Sequence, residues 1–332
     1  MTDTSPVVSP TLTLPTLSVL RARVTYRLLE PTTLPPYKGA LLRGGFGYAF
    51  QRAACPSACW GHSDQCKAGM ICPYRWVFET PRPPGAGKLH DLQDVSRPFV
   101  IEPPLDHKRS YAAGDALEFG LTLIGRGIDY LPYFLVGFEE LGKAGLGRDH
   151  ARAKLERVEA LEPFRPIGRP IYQDGRTFDT ADLPTLRIAD LADPADALPT
   201  DLRLTLRTPL RVKSRGAFIE QLDLAAIVQA VCWRLAALSA FHGDPWEFDY
   251  RPVVDAARQV VIERPEIQWV DWERTSTRET QPRQMTLGGI MGSASLRGVP
   301  PAVRAALLVG SLLHVGKACV FGHGWYIISG IS

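Results

Sequence analysis

The sequence predicts an α+β protein made of two tandem units with the same β-α-β-β-α-β order, and three observations lead to that class. Two stretches, "SVLRARVTYRLL" at 18–29 and "DLRLTLRTPLRVKSR" at 201–215, alternate apolar and mostly basic residues with a period of two, as a strand with one buried face does. Each is followed by an apolar stretch with helical spacing, then by two more strand-like pieces, a second helix and a closing strand. Four of the six cysteines fall between 55 and 72, so the first unit carries an insertion that the second lacks.

Composition bounds the reading. With 332 residues there is room for two ordinary domains. At 45% apolar and 22% charged, the chain has material for a sizeable core. A net charge of +3 does not announce a nucleic-acid partner, so local clusters must supply one. Arginine outnumbers lysine 30 to 8, a bias that suits phosphate or base recognition by the planar guanidinium. The start, "MTDTSPVVSPTLTLP", has neither a basic leader region nor an apolar core. The longest apolar stretch, 224–241, is interrupted by Gln229 and Arg234 and reads as a buried helix. The expectation is a cytoplasmic protein without a membrane partner, preceded by a disordered segment over 1–16.

The elements follow in order. In 18–29, Leu20, Ala22, Val24, Tyr26 and Leu28 share one face, and Arg21, Arg23, Thr25 and Arg27 the other. A helix is predicted over 37–54. The insertion 55–75 holds Cys55, Cys59, Cys66 and Cys72 with the spacing C-x3-C-x6-C-x5-C. In a reducing compartment such a cluster points to a metal before disulfides. Four thiolates close a tetrahedral zinc site with no open position, so its task would be structural. His62 is an alternative ligand, and an iron–sulfur cluster uses the same ligand set. Cys232 and Cys319 read as single buried thiols. Strands at 97–104 and 115–125, a helix at 130–145 and a strand at 153–162 complete a first domain over 17–165.

A linker rich in Pro, Asp and Ala, with room for a hairpin inside it, is predicted over 166–200. The second domain, 201–332, opens with a strand that places Leu202, Leu204 and Leu206 opposite Arg203 and Arg207, with Arg211, Lys213 and Arg215 continuing the basic face. A helix at 218–241, strands at 259–273 and 284–298, a helix at 300–315 and a strand at 324–329 follow. This order is ferredoxin-like, the fold of the RNA-recognition (RRM-like) module. With basic strand faces in both halves, it suggests RNA.

Specific motifs then add up. The run 41–80 contains Arg43, Gly44, Gly47 and Tyr48, then Cys72, Pro73, Tyr74 and Phe78. The stretches 111–147, 272–298 and the closing "HVGKACVFGHGWYII" complete the set. In this order they resemble the CRISPR-associated endoribonucleases that process precursor CRISPR RNA, the sixth Cas family of the repeat-associated mysterious protein (RAMP) superfamily. The likeness covers about 18 to 329. It implies a metal-independent cut in CRISPR repeat RNA by 2′-hydroxyl attack. The product would be mature crRNA with 2′,3′-cyclic phosphate and 5′-hydroxyl ends, handed in many members to a CRISPR interference complex.

That reaction needs a base for the 2′-hydroxyl, an acid for the leaving oxygen and stabilisation of the phosphorane. His314 and Lys317, three residues apart, are the favoured pair, with Tyr37 as a further catalytic candidate. Gly316, Gly322 and Gly324 would let the backbone approach a phosphate, and Arg43, Arg207, Arg211, Lys213, Arg274 and Arg278 are candidate RNA contacts. Many relatives carry the catalytic histidine on or near the first helix, and 37–54 has none. This departure leaves the general base open, with Tyr37 and His62 next in line. It also keeps alive a non-catalytic guide-RNA-binding subunit of an effector complex. A third reading makes the cysteine cluster a redox- or zinc-dependent regulator.

Overall fold

The computed structural model describes residues 10–60, 66, 72–80, 95–178, 180–276 and 283–331, with the backbone alone for 273–276 and 283–286. The first half runs β1 (Ser18–Leu28), β2 (Thr32–Thr33), α1 (Gly39–Ala54), α2 (Pro73–Phe78), β3 (Phe99–Glu102), β4 (Ser110–Tyr111), β5 (Ala116–Ile124), α3 (Leu131–Ala144) and β6 (Ala153–Leu161). Next come β7 (Gly168–Gln173), β8 (Arg176–Thr177), β9 (Leu186–Arg187) and α4 (Ala192–Asp196). The second half begins with β10 (Leu202–Leu210), β11 (Lys213–Ser214), β12 (Ala217–Phe218), α5 (Leu224–His242) and α6 (Arg251–Arg258). It closes with β13 (Val261–Val270), β14 (Glu273–Ser276), β15 (Arg283–Thr286), β16 (Gly289–Arg297), α7 (Pro301–Leu313) and β17 (Tyr326–Gly330).

The two principal sheets have the same plan. β3-β5-β1-β6 in the first half and β13-β16-β10-β17 in the second place the opening strand third and its closing strand beside it. All these pairings are antiparallel, with Val24 opposite Phe119 and Val158, and Leu204 opposite Ala294 and Ile328. This is the ferredoxin-like order, twice.

The alternation in β1 does what it predicts. Leu20, Ala22, Val24, Tyr26 and Leu28 are buried under α1 and α3 in a core dominated by aromatic rings. Phe46 of α1 lies 4.4 Å from Phe138 and 5.2 Å from Phe134, ring centre to ring centre. The second core is aliphatic: Leu202, Leu204 and Leu206 face α5 and α7. Asp223 caps α5 by accepting from the Ala226 amide at 2.9 Å. α5 is long and apolar enough to cross a membrane, yet most of it is buried in this core.

Two domain boundaries differ from the expectation. Residues 166–200 hold the expected hairpin as β7 and β8 but are no simple linker, because that hairpin extends the first sheet, β9 pairs with the start of β1, and α4 packs on α7. The Pro- and Asp-rich composition reflects edge strands and short turns, where such residues are tolerated. Within the segment expected to be disordered, 1–9 lie outside the described residues, whereas Leu12 is buried in the second core and Trp246 Nε1 donates to Thr13 O at 2.9 Å.

Candidate nucleic-acid interface

The glycine-rich segment 314–325 leaves α7, turns back and enters β17 at the seam between the halves. On one side it is stitched to β10. The Gly324 amide donates to Pro209 O, the Lys317 amide to Arg211 O, Thr208 Oγ1 to Gly322 O, and the Trp325 amide to Thr208 Oγ1, all at 2.7–2.9 Å. On the other side it meets the first half. Tyr37 Oη donates to Phe321 O at 2.8 Å. Gly39 brings the start of α1 so close that a Cβ there would stand 2.0 Å from Phe321 O.

The contacts of Gly316, Gly322 and Gly324 correct their expected role. All three have positive φ. A Cβ would strike Arg211 O at Gly316, Pro103 at Gly322 and Val315 O at Gly324. The amides of Val315, Lys317, Phe321, Gly322, Gly324 and Trp325 are spent on protein acceptors. The glycines therefore let protein pack against protein, and the loop is not a free phosphate cradle.

The expected catalytic group His314 also stands elsewhere than a base for RNA would. Its ring is buried, with Nδ1 3.0 Å from His323 O and Nε2 3.4 Å from Glu102 Oε1. Nδ1 faces the carbonyl, and Nε2 lies beside the carboxylate without a hydrogen bond. Glu102 of β3 is buried too, and accepts from Thr122 Oγ1 at 2.6 Å and from Arg21 at 3.1 Å. Burial pushes the Glu102 carboxyl up, but Arg21, His314 and Thr122 together hold it far below the carboxylate range. His314 thus sets a buried imidazole of the second half against a buried carboxylate of the first.

Tyr37 is corrected on similar grounds. Its ring lies tilted 4.7 Å from Trp272 and edge-on to His323, and burial followed by the nearby Cys319 raises its hydroxyl well above the usual value. Arg43, expected on RNA, is buried with its guanidinium over Phe78 at 4.6 Å, Phe99 at 5.4 Å and Phe321 at 5.9 Å. His323 accepts from Trp272 Nε1 at 2.6 Å.

Two buried histidines make stability pH-dependent. Burial, aided by Arg211 and His314, pulls His323 down to about 3. Burial, aided by Arg234 and Arg126 and opposed by a contact to Ser96 O, pulls His242 down to about 4. In the unfolded chain both titrate near 6.5, so as pH falls the unfolded state takes up protons first. The stability contributed by the neutral rings is full above about pH 6.5 and falls by up to about 1.4 kcal/mol per pH unit per ring toward pH 4. Urea unfolding at pH 7.5, 6 and 5 should show this decline, and a flat profile would contradict it.

The two basic strand faces differ. On β1, Arg21 pairs with Glu102 at 3.1 Å, Arg23 with Glu159 at 3.6 Å and Arg27 with Glu156 at 2.8 Å, so that face is neutralised from its neighbours. On β10, Arg203 reaches Ser293 and lies 3.8 Å from Glu266. Arg207, Lys213 and Lys317 are exposed and have no acidic partner among the described residues. Arg211 lies over Phe218 at 3.9 Å and donates to Gly288 O, with Lys213 beside the same ring at 5.2 Å. Arg203 and Thr205 face Ser295, Ser293, Ile327 and Ser329 across the strands, so this part of the face offers no aromatic ring for base stacking. The Arg274 side chain and Arg278 lie outside the described residues.

A groove of about 220 Å³ opens at the seam, lined by Arg23, Glu102, Pro104, Leu105, Glu118 and Trp325 among others. The segment that lines it continues into Asp106, which holds the buried Lys38 ammonium at 3.2 Å, and then into exposed His107. His107 carried no argument in the sequence, because its loop shows no motif and only the fold brings it beside α1. His150 is the other exposed histidine among the described residues and lies between α3 and β6. His62 and His90 lie outside the described residues.

The cysteines cluster at the corner of α1 and α2. Cys55 caps the end of α1 and Cys72 the start of α2, with Sγ atoms 3.7 Å apart. Burial, then Cys72, Cys59 and Cys66, push the Cys55 thiol up to about 12. Among the described residues no three His, Cys, Asp or Glu side chains already meet at metal-binding distance. Cys232 and Cys319 are buried free thiols.

Comparison with known proteins agrees with this architecture. The family model AF_1859_N, an N-terminal domain, matches residues 15–183, and the model for CRISPR-associated endoribonuclease Cas6 matches residues 204–326. An uncharacterized protein of Archaeoglobus fulgidus is 25% identical over 316 residues, covering 94% of this chain and 98% of that protein. Among solved structures, a partial Cas6-RT-Cas1–Cas2 complex superposes with TM-score 0.57 at 14% identity over 96% of this chain, which spans 47% of that longer one. A Thermus thermophilus Cas6 product complex gives TM-score 0.54 at 15% identity over 93% of this chain and 98% of that one. The chain thus carries a CRISPR-associated Cas6 endoribonuclease domain in its second half. Its place is therefore in CRISPR-associated RNA processing.

Proposed function

We propose that the protein cuts CRISPR repeat RNA in precursor transcripts by metal-independent 2′-hydroxyl attack, leaving a 2′,3′-cyclic phosphate and a 5′-hydroxyl. The observation that carries this reading is the glycine-rich segment locked across the seam, edged by the exposed cations Arg207, Lys213 and Lys317. These would hold the RNA backbone, while Lys317 stabilises charge on the phosphorane. His107 takes the proton-transfer role that buried His314, and Tyr37 with its hydroxyl tied to Phe321 O, cannot reach in this fold. The mature product, kept or released, would pass to an interference complex.

The burial of His314 and the engagement of the Tyr37 hydroxyl with Phe321 O favour one other reading on the same fold, a guide-RNA carrier that binds without cutting. Repeat RNA incubated with the protein in excess EDTA separates the two. Cutting to a cyclic-phosphate end supports the nuclease, and tight binding with no cutting supports the carrier.

The cation cluster makes a prediction common to both readings. Each of Arg207→Ala, Lys213→Ala and Lys317→Ala should flatten the salt dependence of repeat-RNA binding, by about 0.7 in the log–log slope for a single-stranded contact or about 0.9 for a duplex contact. Arg27→Ala, on the neutralised face, should leave the slope unchanged. Equal slopes for all four variants would place the RNA elsewhere.

A further inference from the structure

We propose that Cys55, Cys59, Cys66 and Cys72 bind a single zinc ion as a mononuclear tetrathiolate site that fastens α1 to α2. The inference is independent of whether the protein cuts or carries RNA.

The four cysteines are brought to one corner by separate anchors. Cys55 is the C-cap of α1 and Cys72 the N-cap of α2. Gln51 of α1 donates to Cys59 O at 3.2 Å, and Arg75 of α2 donates to Cys66 O at 3.2 Å. The residues between them add Trp60 Nε1 to Cys55 O at 3.1 Å. Each helix thus holds its own cysteine and the backbone of a second one.

The distance between the first pair selects the kind of site. Cys55 Sγ and Cys72 Sγ stand 3.7 Å apart. A tetrahedral ion with Zn–S bonds of about 2.3 Å has an S···S edge of about 3.8 Å. A disulfide would need about 2.05 Å. In a four-iron cubane each cysteine binds a different iron, and the cysteine sulfurs stand farther apart than one tetrahedral edge. The pair therefore forms a preset edge for one ion, and Cys59 and Cys66 supply the other two ligands as they close on it. With four thiolates the ion has no open position, so it binds no reacting water.

The fastened corner supports the seam. Trp76 of α2 packs edge-on to His242 of the second half at 5.7 Å, and Phe78 packs edge-on to Phe50 in the aromatic core under Arg43. Holding α2 holds both contacts.

Full-length protein purified without chelator should contain a single zinc per chain by elemental analysis, and Cys72→Ser should lose it. Should that variant fail to fold, Co²⁺ titration of chelator-stripped wild type supplies the second readout. Thiolate-to-cobalt charge-transfer bands with the intense visible bands of a tetrahedral site are expected. Zinc in trace amounts with no cobalt spectrum, a Cys55–Cys72 disulfide found by mass, or iron together with acid-labile sulfide would each overturn the proposal.

Discussion

Replacing His314 with alanine is expected to lower stability by about 1–3 kcal/mol, the range for leaving buried polar groups without their partner. Glu102 would remain buried, held by Arg21 and Thr122 but facing an empty space where the imidazole was. The contact from Nδ1 to His323 O would go as well, releasing the turn of the glycine-rich segment from within. Because His314 belongs to the second half and Glu102 to β3 of the first, the loss falls on the seam. The urea midpoint should drop with little change in the rate of cleavage per folded molecule. A variant with the wild-type midpoint and no cleavage would instead restore His314 to the chemistry.

His107→Ala should show the opposite pattern. Loss of a proton-transfer group costs about 10²–10⁴-fold in rate, and a group acting mainly in the transition state adds little to ground-state affinity. The side chain is exposed, so the folded protein should keep its urea midpoint. His150→Ala, at the other exposed histidine, should cut at the wild-type rate. If His107→Ala also cuts normally, the acid–base groups lie elsewhere, with His62 and His90 the histidines to exchange next.

The architecture was largely legible in the sequence because both opening strands alternate cleanly and each helix carries an apolar face. What alternation cannot show is the partner across the sheet. The arginines of β1 looked like a basic surface, yet Glu102, Glu156 and Glu159 come from β3 and β6 to neutralise them. The same limit applies to His314. Its position at a helix end was readable, but its burial is decided by Glu102, a residue of the other half. The glycines of 316–324 were rightly marked as places of close approach, but the approaching groups are Arg211 O, Pro103 and Val315 O. His107 was missed because a single exposed histidine gains meaning only from the loop's position beside the seam groove and Lys38.

The proposed cleavage depends on attack by the RNA's own 2′-hydroxyl. The direct test maps the cut in a cognate repeat and then offers, in excess EDTA, the same RNA with one 2′-deoxynucleotide on the 5′ side of the scissile phosphate. The account predicts that this RNA binds as tightly as the all-ribose strand and stays whole while the control is cut to a cyclic-phosphate end. Cleavage of the deoxy-substituted strand at the same bond would contradict it, because the nucleophile would then be something other than that hydroxyl.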